Sequence, residues 1–474
     1  MAENLTERYA GYAVYLPSLQ KQYSHWGTKD NNDDAVRDVL PAGFDVSDLN
    51  FLNPKSKLWH CGYTLYSAGQ FETPQIRTTD MIAERRSEHK TVVVGDSGGF
   101  QLGTGAISNK QEKAHLERYK GDADKQVEMW SSSGFRERTL RWLENYTDYA
   151  MTLDMVLWCE KNYADSNPNT VPPTTKNSQL RNLSFAQLID LSVDNLRYFE
   201  ENTGTIPGVS TKYLNVLQDI GIVDGVDTGL LWYNAVKDFK FTKGWALGSD
   251  TGNVALNTLR WLRRLLEDDN LDNTEWVHGL MKSPPRYSVI YTAMQKAISK
   301  AANRDITISY DSSSPHQLAG KQRTPVNPPL LTDDIETWTM GGDRIEQNIN
   351  IARGLQQLEW QMHTPLAKFF TPNDLVHKTE AYTDSRTDTL SEMLLVNHNI
   401  YTYHCAALDA CDLVWHPKKQ NQSRLPMCMA DMIECIEEYF TSDKPDVLEK
   451  KHAKAFVYLL GKKDRKKALA KLND

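Results

Sequence analysis

KYLNVLQ (residues 212–218), GWALG (244–248), EWVHGLM (275–281) and DITISYD (305–311) decide the fold. Each is a short apolar run, rich in β-branched and aromatic residues, that reaches a polar residue or a glycine at or just past its end. Runs that are apolar at consecutive positions read as strands buried on both faces. The terminal positions 218, 248, 281 and 311 lie 30 to 33 residues apart, the length of one βα unit. Upstream, TVVVG leads to Asp96 and YAMTL leads to Asp154 in the same manner.

Helical patterns fill the intervals. Residues 185–204 carry apolar positions at helical spacing, with Ser184 as a cap and Gly204 as a stop. Residues 254–269 are amphipathic, residues 284–302 begin with prolines where a helix tolerates them, and residues 345–363 form a fourth segment. Strict alternation of strand and helix predicts a parallel sheet with helices outside. Polar residues at the ends of several successive strands favour a (β/α)₈ barrel, with an extra N-terminal segment and a mainly helical C-terminal region. The alternative, an open doubly wound sheet, normally carries a glycine-rich phosphate loop early, and neither GxGxxG nor GxxxxGK[ST] occurs. The expected division is an N-terminal segment over 1–55 packing on the barrel, the catalytic barrel over 56–365, and the helical region with its basic tail over 366–474.

Composition bounds the function classes. The 474 residues are 40% hydrophobic and 24% charged, as in ordinary globular proteins. Mean hydropathy is -0.56 and no apolar run is long enough to span a bilayer. The first residues show no basic and apolar leader pattern, and six cysteines are too few for a disulfide scaffold, so a cytoplasmic protein with reduced thiols is expected. The net charge of -8 excludes a wholly basic nucleic-acid coat, but residues 450–474 carry nine Lys/Arg against two Asp. That tail is either a solvated helix or a phosphate-contacting one.

The hexapeptide Asp96-Ser97-Gly98-Gly99-Phe100-Gln101 follows a buried strand directly. Its glycines allow close backbone approach to a flat ligand, and Phe100 offers a ring for stacking or a core aromatic. DSGGFQ resembles the signature of the tRNA-guanine transglycosylases. Further residues follow in the same order. TLDM with Asp154 is similar to that family's strand-end Asp, LNVLQD with Gln218 to its glutamine strand, and GWALGS to its glycine strand. YDSSSP places Asp311 where the family has its nucleophile, and NHNIYTY with His398 resembles the segment that supplies its zinc histidine. The resemblance covers about residues 90–405.

There are departures. The family's CxCxxC cluster is absent, with no cysteine between Asp311 and His398. A tetrahedral zinc site needs about four N/S ligands. Cys405, Cys411, Cys428 and Cys435 lie downstream and read as core thiols, with a rebuilt site on His398 or His404 as the alternative. No cofactor is therefore expected. Ser249 and Asp250 replace the usual Gly-Leu pair. Missing zinc cysteines beside intact acidic positions look more like the DNA-modifying branch, the DpdA-like 7-deazaguanine transglycosylases of phages.

The resemblance implies a pentosyltransferase. Asp311 would attack C1′ and form a covalent glycosyl-enzyme, with Asp96 as general acid/base, as in retaining glycoside hydrolysis. Ser97, Asp154, Gln218 and the backbone at Gly248 and Ser249 would read the edge of a guanine-like base. Phe100 would stack on one face and His278 on the other, although His278 also suits a core histidine and Asp154 a structural ion pair. Asp250 reads as a helix cap, and Asp311 alone could be one. Lys321 and Arg323 would touch phosphates, with Lys418, Lys419, Arg424 and the tail as remoter candidates. The expected partners are DNA, with the target base out of the stack, and a free 7-deazaguanine such as preQ0. No membrane partner is expected, and no protein partner is specified. The role implied is protection of phage DNA from restriction. A tRNA-acting transglycosylase and a non-catalytic nucleic-acid binder are the alternatives.

Overall fold

The computed structural model describes residues 2–21, 23–24, 40–71, 90–106, 114–115, 117–119, 122–132, 134–169, 171–206, 208, 210–248, 255–345, 356–357, 361–376, 389–417, 425–460, 465–468 and 470. Its centre is built from the apolar runs: β1 (Val14–Pro17), β2 (Tyr63–Ser67), β3 (Val92–Asp96), β4 (Tyr149–Met151), β5 (Lys212–Gln218), β6 (Gly244–Gly248), β7 (Trp276–Gly279) and β8 (Thr307–Ser312). They form one eight-stranded sheet in the order β1-β8-β7-β6-β5-β4-β3-β2. Each paired neighbour is parallel. The two ends meet at a parallel bridge between Ser18 and Leu65, where Leu19 N–H donates to the Leu65 carbonyl at 2.9 Å. The sheet is thus a nearly closed α/β barrel of the TIM type, as the strand spacing predicts.

The helices wrap the sheet: α1 (Gly99–Gly103), α2 (Phe135–Tyr146), α3 (Phe185–Asn202), α4 (Thr228–Val236), α5 (Ala255–Glu267), α6 (Arg286–Ala301) and α7 (Ser314–Gly320). In α3, Ser184 and Gln187 form a reciprocal capping box, which satisfies two orphan donors at the helix start. In α5, Leu256, Leu259, Leu262 and Leu265 recur every third residue and are buried, so a single stripe faces the sheet. The helix expected over 345–363 is not seen at Ile345, Gln356, Gln357 or 361–363, which are non-helical; the rest of it lies outside the described residues.

The N-terminal boundary needs correction. Val14–Pro17 is fully buried between β8 and β2 and is the first barrel strand, so 1–55 does not merely pack on a barrel that begins at 56. Four apolar residues suffice because β8 supplies their ladder, and Thr64 Oγ1–H of β2 donates to the Pro17 carbonyl at 3.0 Å.

The C-terminal region is helical, led by α8 (Thr389–Trp415) and α9 (Met427–Thr441). Helix α8 presents a row of buried polar side chains to the barrel. Tyr23 O–H donates to Asn397 Oδ1 at 3.1 Å, and Tyr9 O–H lies 2.8 Å from His404 Nδ1. Asn399 accepts from Val326 N–H at 2.8 Å and donates to the carbonyls of Pro315 and Thr324, both at 3.1 Å. One amide thereby ties down the chain that leaves β8. Among the described residues, no helix is long and apolar enough to cross a membrane.

Truncating Asn399 would leave three buried backbone groups without their partner. Asn399→Ala is expected to lower the unfolding free energy by about 2–4 kcal/mol, read as a shift in the denaturant midpoint. A change below about 0.5 kcal/mol would mean that the clamp contributes nothing.

Candidate active site

Parallel strands put all their carboxyl ends on one rim, so the polar residues that terminate the apolar runs converge at one mouth. Asp96 ends β3, in register with Ser67 of β2. Asp311 lies one residue before the end of β8, and Gln218 ends β5 beside Gly248 of β6. Asp154 follows β4 by three residues.

Asp311 is buried, 7% exposed. Its Oδ1 accepts from the Met281 backbone N–H at 2.8 Å and lies 3.4 Å from His278 Nε2. Met281 holds a φ of +57°, unusual for a side-chain-bearing residue, and its side chain is 51% exposed at the mouth. A left-handed backbone costs on the order of 1 kcal/mol, and here it aims an amide at a carboxylate. Burial pushes the Asp96 carboxyl pKa up, and the charge of Asp311 acts in the same direction. The Ser67 hydroxyl, the Gly98 N–H and His278 oppose that rise.

A second cluster stands beside this pair. Asp154 accepts from Gln218 Nε2–H and from the Ser97 hydroxyl, the latter at 3.3 Å. Leu157 N–H donates to Gln218 Oε1 at 2.9 Å, which fixes the way the amide faces. Burial raises the Asp154 pKa to about 7, and Asp96 adds to the rise. The glycines of the hexapeptide serve this cluster. Gly98 has φ +99°, and a Cβ on Gly99 would stand 2.9 Å from Asp154 Oδ1. The close approach is therefore to a carboxylate of the protein.

Phe100 is 46% exposed in the first turn of α1. Its ring centroid is 5.8 Å from that of Trp158, a residue the sequence reading missed although it lies four positions after Asp154. Gly248 lines a narrow crevice with Leu280, Met281 and Lys282. His278 is fully buried, against Ser309 and Asp311, so it offers no face for stacking on a base. Ser249 and Asp250 lie outside the described residues, as do Lys418, Lys419 and Arg424.

The expected phosphate contacts divide. Lys321 is exposed at the end of α7. Arg323 is not available as placed: it is 8% exposed and its guanidinium lies 3.9 Å from Glu392 of α8. In the tail, Arg465 is buried in an ion pair with Glu336 at 2.6 Å.

His398 uses both ring nitrogens within the protein, with Thr364 Oγ1 at 3.1 Å and the Val326 carbonyl at 3.0 Å. Burial holds its pKa down near 3. Among the described residues, no three His, Cys, Asp or Glu side chains gather as a metal site, and the cysteines are free.

The chain matches no protein-family model and no curated protein sequence. Its site is therefore read from its own residues and from the motifs they form.

A carboxyl whose pKa rises on folding binds its proton more tightly in the native state. Stability is lost as pH rises from the ordinary value of 3.8 through about 7. For Asp154 the loss amounts to about 4 kcal/mol above that window. Asp154→Asn is expected to melt higher than the wild type at pH 8 and to match it near pH 4. A variant no more stable at pH 8 than at pH 4, relative to wild type, would show that Asp154 ionises without cost.

Proposed function

We propose that the chain is a guanine/7-deazaguanine transglycosylase acting on DNA. The observation that carries the reading is the pair at one barrel mouth, a half-buried Asp96 and a buried Asp311, beside a fixed Asp154–Gln218–Ser97 cluster. Exchange at C1′ requires two carboxyl groups with separate tasks and a rigid acceptor for a base edge.

In this reading Asp311 attacks C1′ of a deoxyguanosine, and the C1′–N9 bond breaks with its electron pair leaving on the base. Asp96, whose carboxyl pKa is raised by burial, gives that base a proton. A 7-deazaguanine then enters, Asp96 takes the proton from its N9, and N9 displaces the aspartyl oxygen at C1′. Two displacements retain configuration and regenerate both carboxyl groups. Ionised Asp154 accepts from N1–H and the exocyclic amine, and Phe100 covers the exposed face of the ring.

A polymer substrate is supported by an open groove of about 1360 Å³ that borders the same mouth at Met281 and Ser283. Tyr287, Arg286, Gln317 and Trp338 line it further out. Aromatic and polar side chains beside a guanidinium suit a single strand displaced from its duplex. Preference for DNA over tRNA rests on the missing CxCxxC cluster, with protection of phage DNA as the role.

The test is to incubate the protein with preQ0 and duplex DNA, single-stranded DNA or tRNA, then digest and weigh the nucleosides. A 7-deazaguanine deoxynucleoside is expected, and product confined to tRNA would overturn the DNA assignment. Asp311→Ala should abolish exchange while the fold and free-base binding persist; full activity in that variant would remove the nucleophile. Arg286→Ala is expected to raise KM for the polymer about tenfold, without changing free-base affinity, if its guanidinium meets a phosphate. An unchanged KM would put the strand elsewhere.

A further inference from the structure

His278 has no opening to a ligand, yet its surroundings are specific. Its Nδ1 lies 2.8 Å from Ser309 Oγ, and the same oxygen accepts from Trp276 Nε1–H at 2.6 Å. An indole can only donate, so Ser309 is the acceptor in that pair. Among the described residues the hydroxyl has one other partner, His278 Nδ1, to which its own proton must go. The imidazole then carries its proton on Nε2, the atom that faces Asp311 Oδ1 at 3.4 Å. Met281 N–H reaches the same oxygen, and among the described residues no donor is bonded to Oδ2.

We infer that His278 is a positioning residue for Asp311, fixed in its Nε2–H tautomer by Ser309 and Trp276. With Met281 N–H it turns Oδ1 away and leaves Oδ2 to attack. This deepens the proposed function and rests on Asp311 being the attacking group. The contact is long and poorly aligned in the free protein, as such bonds often are before substrate tightens them. The N–H orients the carboxylate for attack on C1′. The charge of Asp96 also faces this pair.

Two measurements separate this inference from the reaction itself. Nitrogen-15 correlation spectra of histidine-labelled protein report the tautomer without turnover, with His278→Gln identifying the signal. The Nε2–H form is expected in wild type, a mixture in Ser309→Ala, and a shifted Nε2 proton in Asp311→Asn. An Nδ1–H form, or a signal indifferent to Asp311→Asn, overturns the inference even if the protein exchanges no base. The second measurement is covalent capture of DNA in a single turnover. His278→Leu should slow capture about a hundredfold with free-base affinity unchanged, and His278→Gln, which keeps an N–H at that reach, should recover to within about tenfold of wild type. Equal loss in both folded variants, or a parallel loss of base affinity, overturns it. No adduct in wild type would overturn the proposed function instead, leaving the spectra to decide on His278.

Discussion

Three carboxyl groups, the buried Asp154 and Asp311 and the half-buried Asp96, gather around one barrel mouth, and the repulsion of their charged forms constrains what lies near them. Taking a carboxylate out of water costs several kcal/mol unless donors replace the lost solvent. Each of the three is given a different set. Asp311 has a strained backbone amide and an imidazole, Asp154 has a primary amide and a hydroxyl, and Asp96 has a hydroxyl and a glycine N–H. The sets differ in the donors they hold against burial, which raises the pKa of both Asp96 and Asp154. That is how carboxyl groups in one cleft come to hold different roles.

Such a cluster destabilises the fold that carries it, so the scaffold must hold the mouth open and fixed. Much of that falls to the far side of β8. Tyr310 stacks obliquely with Tyr15 of β1 and Tyr291 of α6, and Asn399 of α8 clamps the chain after Asp311. The buried Asn, His and Thr residues of α8 would be costly alone, but Asn397, His398, Asn399, Thr402 and His404 each have a hydrogen-bond partner, on the helix or off it. The segment that resembles a zinc-binding one in the transglycosylases thus does its work here through hydrogen bonds. His398 is sealed between Thr364 and Val326, and Asn399 next to it sets the path of the loop that follows Asp311.

The alternation of runs made the barrel legible, because a strand buried on both faces needs consecutive apolar residues and the βα unit fixes their spacing. Val14–Pro17 reads as a strand-like piece of the N-terminal segment, but four residues carry no period that assigns them to the barrel. Pairing with β8 makes that assignment. The acidic residues of the site were readable as strand ends. Their neighbours were not, since Trp276, His278 and Ser309 meet across adjacent strands whose register the sequence does not announce. Arg323 illustrates the opposite limit. A basic residue soon after the nucleophile reads as a phosphate contact, and only the packing of α8 shows that Glu392 faces it.

Selectivity follows from the same energetics that make the mouth expensive. Gln218 cannot turn its amide, because Leu157 N–H holds its oxygen and Asp154 takes its nitrogen. The group free to change at this cluster is therefore the Asp154 carboxyl, whose ionised form burial disfavours. In the proposed reaction, a ligand offering two adjacent donors restores the lost solvation and draws Asp154 into its charged form. An adenine edge offers one donor and one acceptor, and would leave one carboxylate oxygen unpaired or require the proton to stay. Discrimination of that kind is strong because the penalty is an unsatisfied buried charge rather than a missing contact. The stability surrendered at Asp154 in the free protein and the preference for a guanine-like base are two readings of one desolvation cost.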